Sequence, residues 1–286
     1  RNLAPLSFSY RPDNSIQHTI LTNEEGGIDD DCFICSRIDN TLHVVVNGMN
    51  LEKDQNLFNE QLELFKMYEK NVDVKHLKNH SILSIQGPKS SEILNKICHK
   101  SITKLPYMAS TTDKIDGADV WISRSGLTGE DGFDLSIEDP SKAVQIANIL
   151  TSEYGVHPAG LLAANSLRIE AGIPLYGHEL TETTTPVEAR LESLVARDRK
   201  EGFPPFCGGK KILAEIKDPQ TAKDQRLVGI SFDPKVEHLD VQQGAKIYNS
   251  TAKKIVGEIT SAVWSPVLKK MIGMGYVNTF LANGKK

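Results

Sequence analysis

Apolar and polar positions divide the chain into segments with different periods. Gln17–Thr22 (QHTILT) and Thr41–Val46 (TLHVVV) are rich in β-branched residues and predict strands, with Asn23–Gly27 as a turn after the first. In Asp54–Lys70, Leu57, Phe58, Leu62, Phe65 and Tyr68 recur at three- and four-residue spacing, which predicts a helix with one apolar stripe. Ser81–Gln86 predicts a short buried strand. Gly87–Pro88 then opens a helix through Ile97, with Pro88 suited to a first turn. Val120–Arg124 and Gly132–Ile137 predict two strands joined across the polar segment Ser125–Asp131, and Ser141–Tyr154 and Ala159–Ala171 predict helices. Arg197–Gly209, with Pro204, Pro205 and a glycine pair, reads as a linker. A short helix at Lys210–Lys217 follows, then strands at Leu227–Phe232, Lys246–Asn249, Ile255–Thr260 and Met271–Val277. The expected architecture is α+β: a mixed body over residues 1–200 and a β-rich domain over 201–286.

Composition narrows the class of molecule. Of 286 residues, 39% are hydrophobic and 24% charged, enough for a packed core and unlike a disordered chain. Lys plus Arg number 33 against 37 Asp plus Glu, a net charge of -4 that excludes a surface built throughout for nucleic acid phosphates. Four cysteines are too few for a secreted disulfide scaffold. No apolar run approaches the ~18 residues of a membrane span. The first residue is Arg1 rather than Met, so a removed leader or an internal start is expected.

Several segments offer chemistry. Cys32 and Cys35 have the spacing of half a zinc site, but on a strand their sulfurs would point to opposite faces, which favours small buried hydrophobes. His76 and His80, four apart, lie in a segment with no convincing helix and read as solvated loop. Gln86–Ser91 lacks phosphate-loop spacing, and Pro88 removes a donor, so a helix start is the better reading. Asp29, Asp30 and Asp31 follow two glycines; spacing alone leaves open a solvated turn or a functional acid. Glu188, just after Pro186, is a carboxylate on a stiff segment. It could accept two parallel N–H donors, as from a pterin edge, or form a surface salt bridge.

Together these segments resemble the aminomethyltransferase family, the T-protein of the glycine cleavage system. Seven motifs occur in the family's order: Asn23–Asp31 (NEEGGIDDD), Val45–Asn50 with Lys53-Asp54, Leu83–Pro88 (LSIQGP), Ser125–Gly132 (SGLTGEDG), Leu167–Gly177 (LRIEAGIPLYG), Thr185–Glu188 (TPVE) and Ser265–Val277 (SPVLKKMIGMGYV). The resemblance implies a folate-binding α+β body and a C-terminal β-barrel, the latter incomplete at Lys286. It implies transfer of a methylene group from an aminomethyl-lipoyl arm on H-protein to the co-substrate tetrahydrofolate, with release of ammonia. Carried over residue by residue, it makes Asp30 the essential acid, Asp31 its neighbour, Glu188 the pterin-binding carboxylate, Arg226 a folate-contacting arginine and Asn47 a weaker member of the same site. No metal or membrane is required. A eukaryotic protein of this kind would work in the mitochondrial matrix, a bacterial one in the cytoplasm. Because H-proteins of the family are usually acidic, Lys253, Lys254, Lys269 and Lys270 are candidates for a docking face.

The sequence departs from the family at Leu127 (usually Tyr), at Asp29 (usually aliphatic), and at Arg190 and Ser193 (usually Gly and Trp). Two other readings remain: a folate-dependent demethylase of the same superfamily, and a non-catalytic folate-binding or RNA-maintenance relative. The latter carries a cysteine-bearing segment that is absent from Leu175–Glu179.

Overall fold

The computed structural model describes residues 2–7, 11–68, 71–200, 205–233 and 241–282. The order begins with strands β1 (Ile16–Thr22), β2 (Ile28–Ser36) and β3 (Leu42–Val46), helix α1 (Leu51–Met67), β4 (Ser81–Gln86) and α2 (Ser90–Ile97). Next come β5 (Ser110–Ile115), β6 (Ala118–Ser123), β7 (Gly132–Ile137), α3 (Pro140–Ser152) and α4 (Leu161–Ala171). The chain continues through α5 (Arg197–Lys200), α6 (Gly209–Lys217), β8 (Arg226–Ser231), β9 (Lys246–Tyr248), β10 (Ile255–Ser265), β11 (Lys270–Val277) and α7 (Thr279–Ala282). Strands form three sheets, ordered β1-β2-β3, β4-β7-β6-β5 and β8-β11-β10-β9. The α+β class holds, with strands dominating after α6.

Backbone contacts divide the chain into two compact units. One takes residues 11–17 and 32–158, the other 1–10, 18–31 and 159–286. In the first, β4 and β7 pair antiparallel from Ser81↔Ile137 to Gln86↔Gly132. Ile85, Ile122, Phe133 and Leu135 from that sheet pack on Leu94 of α2 and on Ile146 and Leu150 of α3. This apolar face is why α2 and α3 form where they do: their buried positions recur three and four apart. In the second unit, Leu227, Ile272, Met274 and Tyr276 of the C-terminal sheet pack on Ile169 of α4. A separate cluster joins Ile20, Ile28, Leu180 and Ala189.

The structure departs from the sequence reading at several places, among them the expected linker Arg197–Gly209, whose first residues form α5 and whose last opens α6. Asp29–Asp31 lie on β2, not in a solvated turn, and Asp30 and Asp31 are buried. The strand β5 was not expected. It is an edge strand whose central residues, Thr111–Lys114, are polar and open to water, so it carries no apolar signal. β10 runs five residues past Thr260, because a register shift between Ile259 and Ser261 turns two polar residues into the interior. Cys32 and Cys35 both lie on β2, buried and outside any disulfide. The expected helix end at Glu69–Lys70 and the linker residue Pro204 fall outside the described residues.

Candidate active site

The turn between β1 and β2 sets the position of the acidic run. Asn23 Oδ1 accepts from the Gly27 N–H at 2.9 Å, while Asn23 Nδ2 donates to Asp29 Oδ1 at 3.1 Å and to the Glu182 carbonyl at 3.0 Å. A Cβ on Gly27 would lie 1.7 Å from that carbonyl oxygen, so no other residue fits. The Ile28 N–H is shared between the Thr181 and Thr184 carbonyls, which anchors the start of β2 against the 181–184 turn. Strand alternation then sends Asp30 and Asp31 to opposite faces. Asp30 is wholly buried; Asp31 retains 7% exposure and its Oδ2 lies 2.8 Å from His18 Nε2. Asp29, at the family's aliphatic slot, is half-buried and held by Asn23.

Glu188 sits on a tight turn. Ala189 N–H donates to the Thr185 carbonyl, Leu191 N–H to that of Pro186, and Glu188 N–H to Thr185 Oγ1 at 3.3 Å. The side chain has no exposed surface. Its Oε2 accepts from Gln225 Nε2 at 3.0 Å, and its Oε1 has no partner among the described residues. An unmatched oxygen on a buried carboxylate is costly unless a donor arrives from elsewhere. The Glu188 carbonyl receives the Leu227 N–H at 2.9 Å, placing Arg226 at the neighbouring position of β8. Arg226 is 5% exposed and largely committed to backbone: Nη1 donates to the Lys223 and Gln225 carbonyls, Nη2 to that of Pro219. Its Nε and one Nη2 hydrogen are left over from the guanidinium's five donors.

Asp30, Glu188 and Arg226 thus fall in one compact unit, with Ile28 of the Asp30 strand and Ala189 beside Glu188 in a single apolar cluster. Asn47 belongs to the other unit, half-buried just before a 3-10 turn at Gly48–Asn50. Arg190 occupies its glycine slot at φ 58°. It offsets that strained conformation by donating from Nε to the Leu227 carbonyl at 2.9 Å and from Nη2 to that of Ala282 at 3.1 Å. Leu127 lies in the β6–β7 loop, which is clamped by a two-point Arg124–Asp131 ion pair with both bonds at 2.8 Å.

Motif reading did not single out the residue that organises this unit. Glu179 is fully buried and accepts from Arg168 Nη1 and the Leu175 N–H on Oε2, at 2.8 and 3.0 Å, and from Thr260 and Ser261 hydroxyls on Oε1. Arg168 Nη2 reaches the same Ser261 at 2.9 Å, and the Tyr276 hydroxyl donates to the Glu179 carbonyl. Burial, with Glu188 and Glu179 nearby, pushes the Tyr276 phenol far up, so it stays a donor. The available signal was a charged pair, Arg168 and Glu179, flanking an apolar helix end.

Comparison with known proteins identifies the family. The GCVT N-terminal domain model matches residues 2–199, and the model of the glycine cleavage T-protein C-terminal barrel domain matches 225–286. The chain belongs to the glycine cleavage T-protein family. A mitochondrial aminomethyltransferase of Dictyostelium discoideum is 37% identical over 91% of this chain and 65% of its own length. One from Mesembryanthemum crystallinum is 36% identical over 91% and 62%. The aminomethyltransferase of Thermoanaerobacter pseudethanolicus is 31% identical over 98% and 72%. The chain therefore spans less than two thirds of the Dictyostelium and Mesembryanthemum relatives. The crystal structure of glycine cleavage system aminomethyltransferase T from Bartonella henselae shares the fold. Its TM-score is 0.82 at 24% identity, covering 98% of this chain and 72% of that one.

Proposed function

We propose that this chain acts as an aminomethyltransferase: it passes the methylene group of aminomethyl-lipoyl H-protein to tetrahydrofolate and releases ammonia and the dihydrolipoyl protein. The observation that carries the reading is Glu188 Oε1, a buried carboxylate oxygen with no partner among the described residues. An amino-pyrimidinone edge offers the N–H donors that such an oxygen lacks, so the residues present fit a pterin. Tetrahydrofolate supplies the nitrogen that accepts the methylene carbon. Around it, Glu188 holds the pterin edge, and the leftover Arg226 donors meet the carboxylate or carbonyl of the folate tail. Asp30, with Asp31 on the opposite face of the strand, supplies a fixed negative charge against the positive charge that develops as ammonia leaves. That role is electrostatic and positional, and asks no proton of the acid.

Lys253 and Lys254, exposed before the start of β10, and Lys269 with half-buried Lys270, at the turn where β10 ends and β11 begins, lie at opposite ends of β10 and are the two pairs of charges proposed to meet an acidic H-protein. The mitochondrial names of the eukaryotic relatives support a matrix location should this chain be eukaryotic. Two measurements test the reading together: fluorescence titration with tetrahydrofolate, and methylene transfer from loaded H-protein. Asp30→Asn is expected to abolish transfer while folate still binds, and Glu188→Gln to weaken binding itself. Undiminished turnover in Asp30→Asn refutes its role. Running Asp31→Asn alongside decides which face of β2 carries the acid.

A further inference from the structure

The unit formed by residues 11–17 and 32–158 contains a cavity of about 310 Å³ in which none of the proposed transfer residues takes part. Its wall carries Arg37, just past β2, Lys100, just past α2, and Trp121 of β6, with Thr111 and Thr112 of β5 beside them. The Arg37 guanidinium lies over the Trp121 ring, 4.5 Å from its centre, so its planar fork is held by stacking. Its nearest anion is Asp39, at a long 3.9 Å from Nε, and no described residue hydrogen-bonds to its Nη atoms. The Lys100 ammonium donates to the Thr112 carbonyl and forms no ion pair with a described residue. Asp113, which accepts from the Lys100 backbone N–H, does not line the cavity. Trp121 Nε1 is buried and has no partner among the described residues. Two cations therefore line one space beside the Trp121 ring, and among the described residues the only carboxylate lining it is Asp39.

We propose that this cavity binds a small organic monocarboxylate, held by the Arg37 fork and the Lys100 ammonium beside the Trp121 ring. Two cations against one carboxylate leave a single net positive charge, which one carboxylate neutralises. A phosphate dianion would bring a second charge close to Asp39, and no helix N-terminus lines the space to receive it. The volume is at the small end of ordinary ligand pockets, roughly 300–1,000 Å³.

The test uses the full chain and the two indole N–H signals in a proton–nitrogen correlation spectrum, assigned by Trp264→Phe. Sodium acetate is titrated at constant ionic strength, with inorganic phosphate as a second arm and sodium chloride as the control. The expected result is a saturable shift of the Trp121 signal with a Kd of roughly 1–10 mM, the range open to a four-atom ligand. Arg37→Gln and Lys100→Gln should each weaken it about tenfold, since a charge-assisted hydrogen bond is lost. Arg37→Lys should weaken it too, because the fork is lost while the charge remains. The remaining signals report whether each variant is folded. No saturable shift, a shift that chloride reproduces, or variants that bind as the parent does would overturn the site. Phosphate binding tighter than acetate would overturn the choice of ligand.

Discussion

Glu188 offers a sharp test, because its two expected roles pull in opposite directions. In the ligand-free chain it is a fully buried carboxylate with one oxygen on Gln225 and the other without a described partner. A buried polar atom left without a hydrogen-bond partner costs about 1–3 kcal/mol, a penalty that an apolar side chain of similar volume does not carry. Glu188→Met should therefore raise the stability of the ligand-free chain. At about 2–4 °C per kcal/mol for a chain somewhat smaller than this one, the gain should be a few degrees in melting temperature. Gln225 is half-buried and can turn its amide to water, so losing its acceptor subtracts little. The same variant should lose most of its tetrahydrofolate affinity and the thermal shift that folate gives the parent. Differential scanning calorimetry with and without folate reads both effects. A Glu188→Met chain that melts well below the parent without ligand would refute the reasoning, since the carboxylate would then be stabilising the fold rather than awaiting a donor.

Other predictions concern the frame around that residue. Glu179→Leu or Arg168→Met alone strands a buried charge and should cost about 3–5 kcal/mol in chemical denaturation; the double variant should recover much of the loss. Gly27→Ala forces a carbon against the Glu182 carbonyl and should sharply reduce the yield of folded chain, read by circular dichroism. His43 is pushed down to about 4 from 6.5, first by burial, then by Arg37 and His80. The unfolded chain thus binds its proton more readily, and stability falls as pH drops from 6.5 towards 4. His43→Phe should flatten that part of the curve in urea titrations. Burial also pushes the Cys98 thiol up to about 12, so disulfide reagents at pH 8 should label it slowly in the folded chain and quickly in urea.

Strongly periodic or β-branched segments were legible in the sequence: β4 spans Ser81–Gln86 as expected, although only Ile85 of it is buried, and α4 ends where Gly172 takes a left-handed φ of 71°. Polar segments with buried roles were not. Thr260 and Ser261 look like the end of a strand, yet they lie inside it because Glu179, distant in sequence, requires their hydroxyls. Asp29–Asp31 look like a solvated turn, and it is tertiary pairing, with Asn23 and with His18, that holds the run within β2. Nor could spacing foresee that Arg226 is mostly bound to backbone carbonyls, since those carbonyls belong to the irregular chain just before β8. Local patterns report local structure, whereas the partners of buried polar groups are decided by long-range pairing.

The Glu179 centre has a consequence for how the second unit comes apart. Its donors arrive from α4, the segment after it, and β10, and Tyr276 of β11 bonds to its backbone, so one carboxylate ties stretches nearly 100 residues apart. Opening the C-terminal sheet would leave Glu179 without the hydroxyls that satisfy it, and fraying α4 would take away its cation. These stretches should therefore open only together, with amide exchange slowed to one common rate across α4, β10 and β11. A protease nick between α6 and β8 should leave the two pieces bound, because each carries what the other's charge requires.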